Sequence, residues 1–421
     1  FLLSYWRATS VFGYMKDTPV KEAWYNFPDI GTEDQHQFFL DNMPLSKLNK
    51  FYDSTNVFME QIKTHVTYDD FWKSRGIIQH LKDIEPATLI VGGFFDAEDL
   101  YGPFSTYEHI EENSDNFNAV VFGPWSHGDW ARTRERQVVG NIYFGDSLSH
   151  YFQRDIETKF FNHFLKNDGK GKLDLPEAQM FDTGKKEWVS FEQWPPKNTK
   201  KQSYFLQPYQ KLTQRANRML ATSDFVSDPR KPVPYTEDIK VGFTPRKFMT
   251  DDQRFAARRP DVLVFETEVL ENEMTLAGDI MAKLRVSTTG TAADWIVKVI
   301  DVFPPDTKNS DDVQDHLKLS NYHMMVRSEV LRGRFRNDMS NPEPFVPNQK
   351  TAVNLKLQDV FHTFKRGHKI QVQIQSTFFP YIDVNPQTYV ENIFEAEEED
   401  FKTQTHKVYN DSSVEFMVLD E

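Results

Sequence analysis

The 421-residue sequence predicts a mixed α/β fold followed by an all-β region. Two patterns lead to this prediction: a strand–helix–strand unit between residues 87 and 123, and many short strands after residue 173. The length is a third observation, because a chain of this size usually divides into two or three domains. We therefore expect a helical region over residues 1–80, an α/β segment over residues 81–172 and an antiparallel β-sandwich over residues 173–421.

The first 80 residues carry apolar side chains at helical spacing, with turns that contain proline and aspartate between the stretches. The predicted helical stretches are residues 1–14, 24–40 and 51–71. The opening residues, from Phe1 to Trp6, include neither an initiator methionine nor the charged start of a signal peptide. We therefore expect the sequence to be part of a longer protein.

Residues 81–172 read as a βαβ unit followed by a helix. Residues 87–93 and 117–123 are short, continuous apolar runs, as expected of strands that are buried on both faces. Between them, residues 100–113 form a helix candidate with Pro103 in its first turn. Such a unit predicts parallel strands with a right-handed crossover. Residues 147–165 predict a long amphipathic helix.

After residue 173, short alternating or apolar runs recur with turn residues between them, which favours an antiparallel sandwich. The predicted strands are residues 179–181, 188–191, 203–206, 262–267, 281–287, 295–303, 353–357 and 369–375.

Composition excludes several classes of function. A net charge of −14 argues against a nucleic-acid partner. The short basic cluster between Arg246 and Arg259 is interrupted by Asp251 and Asp252, so it indicates a solvated or internally paired surface. The absence of cysteine removes disulfides, thiolate zinc sites and cysteine nucleophiles. No apolar run reaches the roughly 18 residues of a membrane span.

The two predicted parallel strands are each followed by a loop with reactive side chains. The first loop is Gly92-Gly-Phe-Phe-Asp-Ala-Glu-Asp99 and the second is Gly123-Pro-Trp-Ser-His-Gly128. Function gathers at the carboxyl ends of such strands, and neighbouring strands lie about 5 Å apart. We therefore expect Asp96 to bond to His127, as the acid and base of a Ser-His-Asp arrangement do. Taken singly, Asp96 also fits a helix cap and His127 a surface side chain.

The sequence contains no nucleophile elbow of the form G-x-S-x-G. Ser126 stands directly beside the candidate base, which is the wrong spacing. We expect the nucleophile upstream of Phe1. The remaining histidines show no zinc-binding spacing, so no metal or cofactor is expected.

Five stretches in order resemble the CocE/NonD hydrolases, a family that includes α-amino acid ester hydrolases, glutaryl-7-aminocephalosporanic acid acylases and X-Pro dipeptidyl-peptidases of the S15 type. They are residues 92–99, 121–128, 259–268, 292–304 and 379–386. The resemblance implies a helical cap over 1–80, the C-terminal part of an α/β-hydrolase core over 81–172 and a jelly-roll domain over 173–421. It also implies that Asp96 is the triad acid and His127 the triad base, with the serine and an oxyanion-hole tyrosine upstream. It favours an exported protein, periplasmic or secreted.

Among these hydrolases, the α-amino acid ester hydrolases place acidic residues just after the triad aspartate. Glu98 and Asp99 match that position, so the resemblance implies that they bind a substrate ammonium, a charge that needs nearby acceptors when it is partly buried. Asp99 as a helix cap and Glu98 as a solvated side chain are the alternatives.

The expected partner is a small ester or amide of an α-amino acid, with no nucleic acid and no membrane, and a homo-oligomer is left open. An X-Pro dipeptidyl-peptidase or a glutaryl acylase is the close alternative, and a non-catalytic carbohydrate- or partner-binding fragment is the alternative from another class.

Overall fold

The structure of the chain is a computed structural model. The structure describes residues 30–51, 56–132, 134–166, 171–217, 219–239, 247–309 and 317–420. The helix predicted over residues 1–14 lies outside these ranges, as do Arg246 and the first part of the stretch 24–40.

The α-helices of the described residues are α1 (Gln35–Asp41), α2 (Val57–Thr64), α3 (Asp70–Lys73), α4 (Tyr101–Asn113), α5 (Leu148–Tyr151), α6 (Thr158–Phe161) and α7 (Arg254–Ala257). Short 3₁₀ helices cover Leu45–Phe51, Ile78–His80, Asp129–Ala131, Lys247–Thr250, Gly333–Phe335, Ile393–Glu395 and Glu398–Asp400.

The strands are β1 (Thr88–Gly93), β2 (Asn118–Gly123), β3 (Arg136–Val139), β4 (Ile142–Asp146), β5 (Ala178–Asp182), β6 (Glu187–Phe191), β7 (Thr199–Gln207), β8 (Lys211–Thr213), β9 (Thr222–Ser227), β10 (Leu263–Glu266), β11 (Met274–Thr288), β12 (Asp294–Val302), β13 (His323–Arg332), β14 (Thr351–Phe364), β15 (Lys369–Gln375), β16 (Gln404–Tyr409) and β17 (Ser413–Leu419).

The N-terminal helices are shorter than the sequence pattern predicts. Residues 51–71 were expected to form one helix, but the structure has separate helices α2 and α3 within this stretch. Each begins at a capping side chain: Asn56 accepts a hydrogen bond from Met59 N, and Asp69 accepts one from Phe71 N. A side chain that caps the backbone in this way favours a helix start over a helix interior, which corrects the prediction of one continuous helix.

The small sheet has the order β1-β2-β5-β6 and contains the predicted βαβ unit. Strands β1 and β2 are parallel and in register from Thr88 opposite Asn118 to Gly93 opposite Gly123, with α4 as the crossover. Strand β5 continues the parallel arrangement beside β2, and β6 is antiparallel to β5. Two strands that follow residue 172 therefore belong to the small sheet, and the predicted domain boundary at that residue stays a prediction.

The helix predicted over residues 147–165 is present as a helical run from α5 through α6, but it is not a regular α-helix. Two π-helical segments, Phe152–Glu157 and Asn162–Lys166, interrupt it. Thr158 Oγ1 donates to Gln153 O, five residues earlier, at 2.6 Å. A wider turn of this kind changes the register of the apolar face, which the sequence spacing alone did not predict.

The large sheet joins eleven strands by hydrogen bonds, in the order β13-β12-β15-β10-β8-β7-β17-β11-β16-β9, with β14 also paired to β11. Apart from β5 and β6, the strands of the predicted sandwich are thus all joined in one hydrogen-bonded sheet. The long strand β11 links them, because it pairs with β14, β16 and β17 along its length. Near its start, Gly278 has φ +128° and the register to β14 shifts by one residue, which bends the strand. The molecule is a mixed α/β protein with a large multi-stranded sheet; the jelly-roll arrangement stays a prediction.

The two sheets share a hydrophobic core. Phe94 and Phe122 from the small sheet belong to the same buried cluster as Phe361 and Tyr381 from the C-terminal region. A second cluster fills the interior of the large sheet. Because the shared core reaches the residues just after β1, the large sheet packs directly against the loop that carries Asp96. None of the helices that the structure describes has the length and apolar character needed to cross a membrane.

Candidate active site

The loops that leave β1 and β2 are bonded to each other through their backbones. Phe94 N donates to Gly123 O at 2.9 Å, and Phe95 N donates to Trp125 O at 3.0 Å. The approach is so close that a Cβ atom on Gly93 would lie 2.2 Å from Trp125 O. Only glycine leaves room for this contact, so Gly93 at the end of the first strand is required for the two loops to meet.

Asp96 lies between these loops with a side chain that is completely buried. Its Oδ1 accepts hydrogen bonds from the backbone N–H groups of Glu98 at 2.9 Å and Asp99 at 3.1 Å. Its Oδ2 lies 3.0 Å from His127 Nδ1. The structure thus brings together the two residues that the sequence analysis paired, at the carboxyl edge of parallel strands.

His127 has a side chain that is 38% exposed, so one edge of the imidazole is accessible. A carboxylate can only accept, and Nδ1 therefore carries the proton in the contact with Asp96. The other ring nitrogen, Nε2, is then the unprotonated one and can accept a proton. The residue that follows, Gly128, has φ +71°, a left-handed conformation that favours glycine and turns the chain away after the histidine.

Asp129 anchors the loop of His127, and the sequence analysis did not identify it. Its buried carboxylate accepts hydrogen bonds from both the backbone N–H and the hydroxyl of Ser126. It also pairs with Arg132 at 3.1 Å and Arg134 at 3.2 Å. The Ser126-x-x-Asp129 spacing, typical of a side chain that bonds back to the preceding turn, is the signal that could have revealed it. The Ser126 hydroxyl therefore donates its proton to Asp129 and not to His127.

Glu98 and Asp99 are exposed and lie beside the Asp96–His127 pair. Asp99 Oδ2 is 3.3 Å from His127 Nδ1, so two carboxylates face the same ring nitrogen. The helix that follows has Leu100, and not Asp99, at its N-cap position. The carboxylates give this edge of the sheet a negative character.

Asp96, Asp99 and His127 also place one ligand atom each within 4.8 Å of one another, the spacing that a metal ion would need. In this group the Nδ1 nitrogen already donates to Asp96. The clustering therefore follows from hydrogen bonding between an imidazole and carboxylates, and the residue set fits an acid–base pair.

Two further side chains reach the Asp96 loop from the C-terminal region, and sequence reasoning missed both. Arg327 Nη1 on β13 donates to Phe94 O at 2.8 Å, and Tyr381 Oη donates to Ala97 O at 2.9 Å. Burial raises the pKa of Tyr381, and the nearby carboxylates of Glu329, Glu98 and Asp96 raise it further. Arg327 has no local sequence signal, and Tyr381 lies in the stretch 379–386 that carries the resemblance, but nothing in the sequence linked either to a loop more than 200 positions away.

Comparison with protein families identifies the chain. Residues 170–415, more than half of the sequence, match the X-Pro dipeptidyl-peptidase C-terminal non-catalytic domain. Residues 15–129 match the X-Pro dipeptidyl-peptidase (S15 family). The chain belongs to the CocE/NonD and S15 family. Asp96 and His127 both lie within the S15 match.

Similar proteins agree with this family. The chain is 26% identical over 346 residues to cocaine esterase from Rhodococcus sp. (strain MB1 Bresler). This aligned region covers 78% of the chain and 55% of the esterase. The crystal structure of an aminopeptidase from the marine sediment archaeon Thaumarchaeota archaeon has a TM-score of 0.86 and 32% identity, covering 95% of this chain and 66% of that one. An α-amino acid ester hydrolase has a TM-score of 0.87 and 28% identity, covering 99% and 68% respectively.

This CocE/NonD family chain thus spans from about half to about two thirds of the length of these relatives, 55% of the esterase and 68% of the ester hydrolase. The names of these relatives describe two enzymes that act on esters, cocaine esterase and the α-amino acid ester hydrolase, and one aminopeptidase.

Proposed function

We propose that the protein is a serine hydrolase that cleaves esters or amides through an acyl-enzyme, with Asp96 as the acid and His127 as the base of its triad. The observation that carries this proposal is the 3.0 Å contact between Asp96 Oδ2 and His127 Nδ1 at the carboxyl edge of the small sheet. A buried carboxylate behind a half-exposed imidazole is the arrangement that holds the imidazole in the tautomer needed for catalysis.

In this proposal His127 Nε2 accepts the proton of a serine hydroxyl as the hydroxyl oxygen attacks the carbonyl carbon. The imidazolium then donates that proton to the leaving group, and a water molecule repeats the sequence to release the acid. Asp96 keeps Nδ1 protonated and offsets the positive charge of the imidazolium. The nucleophile is a serine upstream of Phe1, because the sequence contains no G-x-S-x-G motif and the Ser126 hydroxyl is bonded to Asp129. The proposed mechanism requires no cofactor or metal.

The proposed substrates are esters and amides of α-amino acids, with Glu98 and Asp99 as ligands of the substrate ammonium. Both side chains are exposed to an approaching ammonium, and Asp99 Oδ2 lies 3.3 Å from His127 Nδ1. Two of the similar structures support this class, since their names, aminopeptidase and α-amino acid ester hydrolase, describe enzymes for α-amino compounds. The proposal also includes the domain organisation that the resemblance implies: a helical cap, a hydrolase core and a jelly-roll domain.

Other substrate classes make different demands on the same carboxylates. A glutaryl acylase would repel its anionic substrate with Glu98 and Asp99, so neutralising them would increase its activity. An X-Pro dipeptidyl-peptidase would recognise the ammonium one residue further from the scissile bond. A non-catalytic binding fragment would turn over none of these substrates.

The test compares kcat/KM of the full-length protein for phenylglycine methyl ester, for its des-amino analogue and for a dipeptidyl-proline anilide. We expect the amino ester to be preferred. Glu98→Gln should raise KM for the amino ester by about 5- to 150-fold, the equivalent of about 1–3 kcal/mol for one charged hydrogen bond, and should leave the des-amino ester unaffected. Glu112→Gln, which changes an exposed glutamate at the end of α4, is the matched control.

Equal rates on the two esters, in the wild type and in Glu98→Gln alike, would remove the ammonium site from the proposal. A preference for the dipeptidyl-proline anilide would assign the protein to the peptidase class. Increased activity of Glu98→Gln on a glutaryl amide would assign it to the acylase class.

A further inference from the structure

Arg327 is a fully buried arginine whose partners are not carboxylates. It lies on β13 of the large sheet and is 2% exposed. Nη1 donates to Phe94 O and Nη2 donates to Asp359 O, each at 2.8 Å. Within the described ranges, no ion pair of Arg327 with an acidic side chain is recorded, and burial lowers its pKa to about 10. The carboxylates of Asp359 and Glu329 act to raise this pKa but do not outweigh burial. A buried charge whose hydrogen-bond partners are backbone carbonyls is costly, so its position calls for an explanation.

Tyr381 makes a corresponding contact on the other side of Asp96. Its hydroxyl donates to Ala97 O at 2.9 Å, one residue after the aspartate, whereas Arg327 holds the carbonyl two residues before it. The Tyr381 ring is fixed in turn by stacking on Tyr235 at 5.6 Å and by contact with Phe248 at 4.9 Å. The Tyr381 hydroxyl is therefore set in an aromatic part of the core.

We propose that Arg327 and Tyr381 form a clamp that positions the carboxylate of Asp96, and through it the imidazole of His127, from the C-terminal region of the chain. This inference rests on the proposed function, because positioning matters only if the Asp96–His127 pair is catalytic. It assigns a role in catalysis to a region whose family match is described as non-catalytic.

The local bonds of the loop do not fix it to the rest of the molecule. Asp96 Oδ1 is held by backbone N–H groups of its own loop, and Phe94 and Phe95 are held by the His127 loop. Both sets of bonds lie within these two loops. The clamp joins the Asp96 loop to β13 of the large sheet through Arg327 and to the turn after β15 through Tyr381. Displacements of about 1 Å at a catalytic group cost about 100-fold in rate, so a clamp at this point has a measurable consequence.

The alternative is that Arg327 and Tyr381 only hold the two sheets together. Tyr322 provides a matched control for this alternative. It is fully buried, its hydroxyl donates to Thr250 O, and Asn141 Nδ2 donates to that hydroxyl at 3.1 Å. Tyr322→Phe and Tyr381→Phe each delete one buried hydroxyl that donates to a backbone carbonyl, but only Tyr381 contacts the Asp96 loop.

The experiment measures Tm together with two properties of the site in the full-length protein. The first is kcat and KM for the preferred ester. The second is the strongly deshielded Nδ1 proton resonance of His127, observed by NMR with labelled histidine and assigned by its loss in His127→Gln. The resonance reports the hydrogen bond to Asp96 whether or not the protein hydrolyses anything.

We expect Tyr381→Phe to lower kcat about 5- to 10-fold with KM unchanged, and Arg327→Met to lower it about 100-fold. The Nδ1 resonance should broaden in Tyr381→Phe and disappear in Arg327→Met. Arg327→Lys, which keeps one donor, should recover part of kcat. Tyr322→Phe should lower Tm at least as much as Tyr381→Phe and leave both kcat and the resonance at their wild-type values.

The clamp is overturned if Tyr381→Phe retains wild-type kcat and resonance, or if Tyr322→Phe produces the same losses. Tyr381→Phe decides the question alone if Arg327→Met does not fold. A wild type that cleaves no ester, together with a resonance that is lost only in the clamp variants, would overturn the proposed hydrolase and keep the positioning role.

Discussion

Aspartate contacts histidine in two regions of the molecule, and the two contacts differ in what surrounds them. In the small sheet, Asp96 contacts His127 at 3.0 Å, and the histidine is 38% exposed. In the large sheet, Asp301 contacts His362 at 3.2 Å and His368 at 2.7 Å, and these side chains are 1% and 13% exposed. Burial alone would raise the pKa of Asp301, but the hydrogen bonds from His362 and His368 outweigh it and lower the pKa.

The difference shows that an Asp–His contact does not by itself indicate catalysis. The Asp96–His127 pair lies where two parallel strands end, and one edge of its imidazole is open to a substrate. The Asp301 cluster lies in the interior between the sheets, where both carboxylate oxygens are already used by histidines. We therefore assign chemistry to the first contact and structural stabilisation to the second, and the following predictions test that assignment.

The largest expected effect is that of His127→Ala. It should lower kcat for ester hydrolysis by about 10⁴- to 10⁶-fold, because no group remains to accept the serine proton. His362→Ala is its counterpart in the large sheet and should lower Tm while leaving kcat/KM of the folded protein within about 3-fold, since ordinary core changes act on stability. Steady-state kinetics and thermal unfolding of both variants measure these effects. Loss of kcat in His362→Ala, with kcat retained in His127→Ala, would contradict the comparison.

Asp96→Asn should lower kcat by about 10³- to 10⁴-fold, somewhat less than the loss of the histidine. The amide group can donate to Nδ1, which favours the wrong tautomer of the imidazole. The matched change, Asp301→Asn, should reduce stability without this loss of kcat. Turnover of Asp96→Asn within 10-fold of the wild type would contradict the role of the carboxylate.

Gly93→Ala tests the contact between the two loops. Its added Cβ would meet Trp125 O at 2.2 Å, and we expect the free energy of unfolding to fall by about 2–3 kcal/mol. Gly102→Ala is the control, because no atom lies within 4 Å of a Cβ at that position in α4, and alanine should stabilise the helix by up to about 1 kcal/mol. Urea unfolding measures both. Equal effects would show that the loops do not need this close approach.

The smallest effect concerns pH. Burial lowers the pKa of Lys298, which is completely buried on β12, to about 7. Between pH 7 and the ordinary lysine pKa of about 10.4, the unfolded chain carries this proton and the folded chain does not, so stability increases with pH. The free energy of unfolding of the wild type, relative to Lys298→Met, should rise by about 2 kcal/mol between pH 7 and pH 9. If the free energies of unfolding of the wild type and of Lys298→Met change equally with pH, Lys298 stays charged when it is buried.

The small sheet could be predicted from sequence because its signals are local. Continuous apolar runs fell within one residue of β1 and β2, and both reactive residues followed them directly. Parallel strands bring such ends together, so the contact between Asp96 and His127 followed from the pattern.

The large sheet and the rest of the site depend on contacts between distant positions. Strand β13 was missed because charged residues such as Arg327 and Glu329 interrupt its apolar pattern. Their meaning depends on partners far along the chain: Arg327 bonds to Phe94, 233 positions away. The hairpin β3–β4 and strands β8, β9, β16 and β17 were missed as well, since short or mixed strands carry weak periodicity.

The most direct test of the Asp96–His127 site is the reaction of the full-length protein with a fluorophosphonate, which labels a serine only when a neighbouring base activates it. We predict one label per molecule on a single serine upstream of Phe1, found by peptide mapping, with a labelling rate that falls by at least about 1,000-fold in His127→Ala and is unchanged in His362→Ala. A wild-type protein that takes up no label, or a label that forms equally fast without His127, would contradict the assignment of this site.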